Sequence, residues 1–230
     1  MALAGYQVLA CPGAGSSTEE IAAMTKAELN IVIHEELGGS IAQYLQKEYG
    51  MPYLSLLPPY GMEGSMKWLR TIGRIMWMSD TSLAVVQQEI DELSKKMDGA
   101  ILDMQRIWGD LWFDQTLIAA PSSIALGIAE ALRLEWIDTG FLTVILQNGI
   151  LSNAAPAYID RILNGQGDSL AIESQLAGLT GGLLLGSSSE KALLQQKAVA
   201  NVLCQNIAFP VYDEIIPVHV PSWGYEVLVI

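Results

Sequence analysis

The feature that most constrains the fold is a repeated order of short apolar runs, polar loops and helical patterns. The clearest copies are "QTLIAAP" (115–121) followed by "SSIALGIAEALR", and "GGLLLG" (181–186) followed by "SSSEKALLQQKAVANVL". The same order occurs earlier, where "LNIVI" (29–33) and "MPYLSL" (51–56) each precede a helical pattern. Alternating strands and helices are typical of a mostly parallel sheet covered by helices. The sequence therefore predicts an α/β fold.

Other segments complete this alternation. The apolar run 6–11 takes the place of a first strand, and "FLTVILQ" (141–147) is predicted as a strand. "APAYIDRILNG" (155–165) is predicted as a helix ending at Gly165, and "NIAFPVYDE" (206–214) as a strand and turn. Ser17 precedes a glutamate by three residues, which is the spacing of a capping box at a helix start.

A single long helix is predicted over residues 80–112. Apolar residues alternate spacings of three and four along it: Leu83, Val86, Ile90, Leu93, Met97, Ala100, Met104, Ile107 and Leu111. This pattern fits either a coiled-coil seam or a helix that braces two lobes. Gly99 and the weak charge pairing beside the stripe favour the brace. We therefore predict two Rossmann-like lobes with mostly parallel sheets, residues 1–112 and 113–230, joined by this long helix.

Charge and composition argue against several classes of partner. The chain has 12 basic and 25 acidic residues and a net charge of −13. Nucleic acids and anionic membrane surfaces attract clustered lysine and arginine, so neither is expected as a partner. The first ten residues lack the positive start of a signal peptide, and no apolar run reaches the ~18–20 residues of a membrane span. We therefore expect a cytoplasmic protein.

The two cysteines, Cys11 and Cys204, limit the metal chemistry of this chain. Iron–sulfur clusters are held by about four thiolates, which two distant cysteines cannot supply. Two reduced thiols of a cytosolic protein are the simplest interpretation. No cofactor is therefore expected on this chain alone.

Two serine-containing loops are candidate binding loops. Ser122 and Ser123 follow the run 115–121, and Ser187 and Ser188 follow the run 181–186. In open α/β sheets, ligands bind beyond the carboxyl ends of the strands, where helix N-termini supply N–H donors. Ser187 also fits a capping box with Glu190, so a purely structural role for that loop stays open.

Two stretches, taken together, resemble a known family. They are "NIVIHEELGGSIAQYLQKEYGMPYLSLLPPYGMEGSMKWLR" (30–70) and "GGLLLGSSSEKALLQQ" with "IAFPVYDE" and "WGYE" (181–226). This order is similar to the nitrogenase component 1 superfamily: the nitrogenase molybdenum–iron subunits, the cofactor-assembly proteins and the nitrogenase-like tetrapyrrole reductases. The resemblance implies the second lobe of that family, without its opening strand and helix, and the third lobe. The family's first lobe, which holds the cluster cysteines, has no counterpart in these residues.

The resemblance also implies a role for His34. Family catalytic subunits place at this position the cysteine that binds the end iron of the metal cofactor. Imidazole is a competent iron ligand, so His34 is a candidate cofactor-binding and metal-binding residue, or else a plain loop residue at a strand end. Other family positions differ: the cofactor histidine falls on Trp223, the basic loop on residues 121–123 and an arginine near Glu36. Nitrogen reduction is therefore not expected.

From the resemblance we expect an oxidoreductase subunit or fragment that receives electrons from an ATP-dependent iron–sulfur reductase. Its partners would be a homologous subunit or further copies of the chain, and an iron–sulfur or metal cluster would belong to the full assembly. The substrate would lie in a cleft where the strand ends of the lobes meet, near His34, Ser122 and Ser187. The alternative is a non-catalytic scaffold or small-ligand-binding relative. A third interpretation is an unrelated sugar- or nucleotide-binding α/β protein.

Overall fold

The computed structural model describes residues 5–12, 15–109, 112–148, 155–165 and 169–208. The chain divides into two compact units, with the division between residues 109 and 112 of the described chain. We describe each unit by itself. Trp223 and most of the segment 206–214 lie outside the described residues.

In the described residues of the first unit, two short parallel strands combine with four α-helices. In chain order, its elements are α1 (Thr18–Ala23), a 3₁₀ turn (Met24–Lys26), β1 (Asn30–Val32), α2 (Glu35–Tyr49), β2 (Tyr53–Ser55), α3 (Met62–Ile75) and α4 (Asp80–Trp108). Strands β1 and β2 pair in parallel, with Asn30 opposite Tyr53. The α2 helix ends at Gly50, whose left-handed φ of 68° suits glycine. A small core forms where α3 packs on α4, through Met66, Leu69 and Val86.

The second unit contains a larger parallel sheet with helices packed on it. Its elements are β3 (Gln115–Ala120), α5 (Ser122–Ala131), a π-helical turn (Leu132–Trp136), β4 (Phe141–Leu146), β5 (Arg161–Asn164), α6 (Ser169–Ala177), β6 (Gly182–Gly186), α7 (Ser188–Gln196) and β7 (Val202–Asn206). The five strands lie in the order β5-β4-β3-β6-β7 and are all parallel. The predicted α/β class with parallel sheets is confirmed.

The core of the second unit lies on both faces of this sheet. One face packs Leu117, Ile145 and Leu184 against Leu176 of α6 and Leu194 of α7. Helix α5 packs against β3 and β4 but contributes nothing to that cluster among the described residues. Since parallel crossovers are right-handed, α5 belongs on the opposite face. The unit is therefore a doubly wound sheet.

The segment 155–165 is predicted from its pattern as a helix, and this prediction is wrong. Residues Arg161–Asn164 form the edge strand β5, with Ile162 opposite Val144 and Leu163 opposite Ile145. Its apolar residues Ile159, Ile162 and Leu163 have helical spacing, so pattern alone favours the helix. The pairing with β4 overrides this local preference.

Three predicted boundaries also change. Residues 6–11 form no strand; the Cys11 amide instead donates to the Ser16 hydroxyl at 2.7 Å. The long helix ends at Trp108 rather than at residue 112, because Gly109 takes a φ of 80°. The helix predicted over 187–203 stops at Gln196, and Ala198 and Asn201 take positive φ before β7 begins at Val202.

No helix among the described residues is long and apolar enough to cross a membrane.

Candidate functional site

The second sheet has a topological switch point between β3 and β6. From β3 the chain continues to β4 on one side, and from β6 it continues to β7 on the other side. Ile118 lies opposite Leu185 in the parallel register, so the two strands end at neighbouring positions. The loops that hold Ser122 and Ser187 therefore begin side by side at one edge of the sheet. This is the position where ligands bind in open α/β sheets.

The helix after β3 begins without a side-chain cap. Pro121 occupies the N-cap of α5, where its side chain accepts no hydrogen bond, and the first turn contains no acidic residue. The first N–H groups of a helix have no partner inside the helix and carry partial positive charge. The start of α5 therefore has the electrostatics of a site for an anionic group.

Ser122 adds a buried hydroxyl at this position. Its Oγ has no hydrogen-bond partner among the described residues. Buried polar atoms in native proteins nearly always have a partner, so an orphaned one needs an explanation. Ser123, the next residue, is buried and has a partner of its own. Ser122 is therefore the residue of this pair whose hydroxyl the described residues leave unpaired.

The helix after β6 begins in the opposite way. The Ser187 amide donates to the Glu190 carboxylate at 2.8 Å, and the Ser187 hydroxyl also donates to it. The same hydroxyl accepts from the Ser189 amide at 3.2 Å, and Glu190 is only 6% exposed. The hydrogen bonds of Ser187 are thus used within the capping box, while Ser188 is buried and has a partner of its own. The loop after β6 shapes the site rather than supplying free donors.

Gln147 connects the two sides of the switch point. Its backbone N–H donates to the backbone carbonyl of Ala120 at 3.0 Å, and its side-chain Nε2 donates to the Glu190 carboxylate at 2.9 Å. Since β3 lies between β4 and β6, this second hydrogen bond passes over the end of β3. Gln147 was not predicted from the sequence, although a glutamine that directly follows an apolar strand is a usable signal.

A second orphaned polar group lies on the same edge. Asn206 ends β7 and pairs in register with Gly186. Its side-chain Nδ2 is buried and has no partner in the described part of the chain. This edge of the sheet therefore has two side-chain groups, the Ser122 hydroxyl and the Asn206 amide, that lack a hydrogen-bond partner among the described residues.

His34 lies in the first unit, at the carboxyl end of β1, where it is the N-cap residue of α2. Its backbone carbonyl accepts from Gly38 at 2.8 Å, but its side chain makes no capping bond. The ring is partly buried, and this burial lowers the pKa of His34 while nearby Glu36 opposes the shift. The neutral imidazole, which is the form that binds metals, is therefore favoured.

Two further side chains of the first unit have environments that were not predicted. Glu35 accepts a hydrogen bond from the Ser55 hydroxyl at 2.5 Å, which ties the start of α2 to the end of β2. Tyr60 is buried, and this burial, aided by Glu36, raises its pKa to about 12. Tyr60 belongs to the "LPPYG" turn, whose pattern indicates a turn and gives no sign of this environment.

The described residues contain no group of three or more histidine, cysteine, aspartate or glutamate side chains that could hold a metal ion. Cys11 is exposed in the first unit, and Cys204 is partly buried in the second. Burial raises the pKa of the Cys204 thiol, with Lys191 opposing the shift, so the thiolate needed for metal binding is disfavoured. An iron–sulfur cluster does not fit the described residues alone.

Comparison with known proteins agrees with this fold. The family model "Nitrogenase component 1 type Oxidoreductase" matches residues 1–229. A light-independent protochlorophyllide reductase subunit of Synechococcus sp. (strain RCC307) is 22% identical over 213 residues, which are 92% of this chain and 38% of that protein. Its counterpart in Halorhodospira halophila (strain DSM 244 / SL1) is 23% identical over 225 residues, or 96% of this chain and 40% of that protein.

A solved structure of nitrogenase Cp1 at pH 5 has the same fold, with a TM-score of 0.67 at 16% identity. The match covers 89% of this chain and 46% of that one. The chain thus spans about two fifths of the length of the curated relatives it matches (38%). These findings confirm the resemblance predicted from the two sequence stretches. The chain belongs to the nitrogenase component 1 type oxidoreductase family.

Proposed function

We propose that this chain supplies the ligand-binding part of a nitrogenase-like oxidoreductase subunit, with the switch point of its second sheet as one wall of the ligand site. The observation that carries the proposal is the uncapped start of α5 beside the orphaned Ser122 hydroxyl. Such a site provides hydrogen-bond donors and partial positive charge without a formal cation. The family favours this function over the alternative of a non-catalytic scaffold.

The proposed substrate is a conjugated tetrapyrrole with a carboxylate substituent. The two curated relatives are protochlorophyllide reductase subunits, and a carboxylate is the anionic group that helix N–H donors and a hydroxyl would hold. The loops 121–123 and 187–189 contain no lysine or arginine. A singly charged group therefore suits them better than a highly anionic metal–sulfur cluster.

In this proposal the residues of the switch point bind and orient the substrate. The first N–H groups of α5 and the Ser122 hydroxyl hold the carboxylate, and Asn206 donates to a second acceptor. The Gln147–Glu190 hydrogen bond fixes the loops on both sides of β3, so the donors are held in place before the ligand arrives. Such preorganisation reduces the free-energy cost of binding.

Electrons would come from outside this chain. An iron–sulfur or metal cluster, with an ATP-dependent iron–sulfur reductase and a homologous subunit, belongs to the proposed full assembly, since the described residues do not themselves fit a cluster. His34, as the residue at the family's ligand position, stays a predicted ligand in that assembly. Its partial burial and lowered pKa are consistent with a neutral ligand.

The test is a titration of the chain with protochlorophyllide, followed by the absorption and fluorescence of the pigment. Ser122→Ala removes one hydrogen-bond donor, and a loss of about 1 kcal/mol corresponds to roughly fivefold weaker binding. The matched control is Ser174→Ala. Ser174 is an exposed serine on α6, and it lines a pocket with Gln115 and Phe141 at the start of β3 and β4, the opposite edge of the same sheet.

If the wild type and Ser122→Ala are both folded and bind the pigment equally well, Ser122 is not part of the binding site. If the pigment shows no saturable binding to the chain, the proposal that a tetrapyrrole is the substrate is wrong. In that case the non-catalytic alternative would become the better interpretation.

A further inference from the structure

Helix α4 has two halves with different environments. In the first half, Val86 is buried and Ile90 packs beside it, against the α3 residues Met66 and Leu69. In the second half, two apolar side chains of the stripe face solvent: Met97 is 38% exposed and Ile107 is 75% exposed. A helix this long is stabilised chiefly by packing of its apolar face. The second half therefore displays an apolar face that α3 does not cover.

Both halves share one heptad stripe. The spacing of three and four residues runs unbroken from Val86 and Ile90 to Leu93, Met97 and Ala100. In heptad notation Ile90 and Met97 are a positions, and Val86, Leu93 and Ala100 are d positions. The stripe that α3 covers at one end of the helix thus continues into solvent at the other end. Gly99 falls on the outer side of the helix, at a c position, and does not enter the stripe.

Acidic and basic residues are balanced in the second half of α4, whereas the chain as a whole is strongly acidic. The chain carries 25 acidic and 12 basic residues. Residues 92–106 instead hold three of each sign: Glu92, Asp98, Asp103, Lys95, Lys96 and Arg106. Two copies of this acidic protein repel each other over most of their surfaces. The second half of α4 is a surface where this repulsion is absent.

The arrangement of these charges selects an orientation. If two copies of α4 pair antiparallel with Met97 against Ala100 of the second copy, the flanking g positions place Lys96 opposite Asp103 of that copy. A two-fold axis repeats this pair, so the contact contains it twice. A parallel pairing would place Lys96 opposite Ile101 and form no ion pair. Residues at e and g positions set partner and orientation in coiled coils, so the charges favour the antiparallel pair.

The existing hydrogen bond of Asp103 does not prevent this pairing. Within the helix, Asp103 accepts from Arg106 at 3.2 Å, and both side chains are largely exposed. Exposed ion pairs of this kind contribute little, typically about 0.2–1 kcal/mol. The Asp103 carboxylate can therefore accept a second donor from a neighbouring copy.

We propose that two copies of this chain associate through an antiparallel, two-fold contact between the second halves of their α4 helices. The contact is short and lies below the ~1,600 Å² of a standard interface. We therefore expect a weak dimer whose population depends on protein concentration. The contact does not depend on the proposed substrate.

The first test is sedimentation equilibrium of the full chain over a wide range of protein concentration. Met97→Lys places a charge in the centre of the stripe and is expected to weaken the dimer by more than tenfold. The matched control is Leu102→Lys. Leu102 is 55% exposed on the same helix, but it lies at an f position on the opposite face. Its substitution should leave the dimer unchanged.

The second test is a charge exchange that reports the orientation. Lys96→Asp alone and Asp103→Lys alone each turn both ion pairs into like-charge pairs, and each should weaken the dimer by about tenfold. The double variant restores opposite charges and should recover most of the affinity. A parallel contact would show no such recovery.

Three results would overturn the inference. The chain could remain a monomer at every concentration, the dimer could persist in Met97→Lys, or Leu102→Lys could weaken it as much as Met97→Lys does. The second result would place the contact on another surface, and the third would indicate non-specific hydrophobic association. All the substituted side chains are at least partly exposed, so circular dichroism should show that every variant folds.

Discussion

The two units of this protein follow the same plan, in which parallel strands are followed by helices. They differ greatly in how many residues of these strands are buried. In β3 of the second unit, the five residues from Thr116 to Ala120 are buried in succession. In β1 of the first unit only Val32 is buried, and in β2 no residue is. A parallel strand covered on both faces becomes continuously apolar. The second unit meets this condition within the described residues, and the first does not.

The helices show the same difference. On α2 of the first unit, Leu37, Ile41 and Tyr44 form an exposed apolar stripe at helical spacing. On α5 of the second unit, Ala125, Leu126 and Ile128 are buried. Contiguous apolar surface of this kind marks a region for contact with other protein. The second unit thus holds an extended core of its own, whereas the first unit has a small core and exposes an apolar stripe on α2.

The largest expected effect compares two isoleucines that are both 0% exposed, Ile118 in the second unit and Ile72 in the first. Ile118→Ala should cost about 4 kcal/mol of unfolding free energy, and Ile72→Ala about 2 kcal/mol. Ile118 lies in a central strand between Val144 and Leu185, where the backbone cannot move to fill the cavity. Ile72 lies on helix α3, which can shift.

Urea denaturation followed by circular dichroism would measure these costs, and amide hydrogen exchange would show which unit opens. Equal costs for the two variants would mean that the first unit packs as rigidly as the second. The contrast between the two units would then be wrong.

A second pair concerns glycines with left-handed backbone. Gly182 has a φ of 104°, and an added Cβ would lie 2.2 Å from the Gln115 carbonyl oxygen of the neighbouring strand. Gly50 has a φ of 68° at the end of α2, and an added Cβ would meet nothing within 4 Å. Gly182→Ala should therefore cost about 3 kcal/mol, and Gly50→Ala about 1 kcal/mol from backbone strain alone.

Thermal unfolding of these two variants would give the difference. A Gly182→Ala protein as stable as Gly50→Ala would show that β3 and β6 can separate locally without loss. The central pairing of the second sheet would then be less rigid than its burial indicates.

A third pair compares the two capping boxes. Ser187 caps α7 with the buried Glu190, and Ser17 caps α1 with the exposed Glu20. Ser187→Ala should cost about 2 kcal/mol and Ser17→Ala about 0.5 kcal/mol, the two ends of the range for serine caps. The difference arises because Ser187→Ala removes a donor from a buried carboxylate. Chemical denaturation of both variants tests this, and a larger cost at Ser17 would contradict it.

The sequence predicts the central strands well and the edge of the sheet poorly. The runs 115–121 and 181–186 contain the apolar stretches 117–120 and 183–185, because β3 and β6 are covered on both faces. Burial of these strands is therefore visible in the sequence. Residues 161–164 lie at the edge, where Ile162 and Leu163 follow Ile159 at the spacing of a helix. Only pairing with β4 makes them a strand. Local patterns cannot show such a tertiary contact.

The candidate site divides in the same way. Ser122 and Ser187 follow strands that the sequence identifies, so their position at the sheet edge could be predicted. The capping box of Ser187 and Glu190 could also be predicted from their spacing, and it is confirmed. The buried, unpaired hydroxyl of Ser122 could not be predicted. The position of Gln147 directly after an apolar strand is a usable signal, but its partner Glu190 is distant in the sequence and could not be predicted. The burial of Tyr60 could not be assigned from pattern either.

The smallest expected effect concerns pH and His34. Burial lowers the pKa of His34 from its ordinary value of 6.5, so the folded chain favours the neutral ring. As the pH falls below about 6.5, the unfolded chain binds a proton that the folded chain does not. This contribution to stability is therefore fully present above about pH 6.5 and is lost as the pH falls through the folded pKa. Since the ring is only partly buried, solvent screening keeps the loss small.

The measurement is the free energy of unfolding at about pH 7.5 and about pH 5.5, on either side of the ordinary histidine pKa, for the wild type and for His34→Gln. The wild type should lose slightly more stability than the variant over this interval, because only the wild type has a ring to protonate. Hydrogen exchange should place the difference in the first unit, since the described part of the second unit contains no histidine. An identical pH dependence of the two proteins would show that the His34 ring is exposed in solution. A loss of several kcal/mol in the variant already at the higher pH would show that His34 is a structural part of the first unit, which would then be more tightly packed than its short strands indicate.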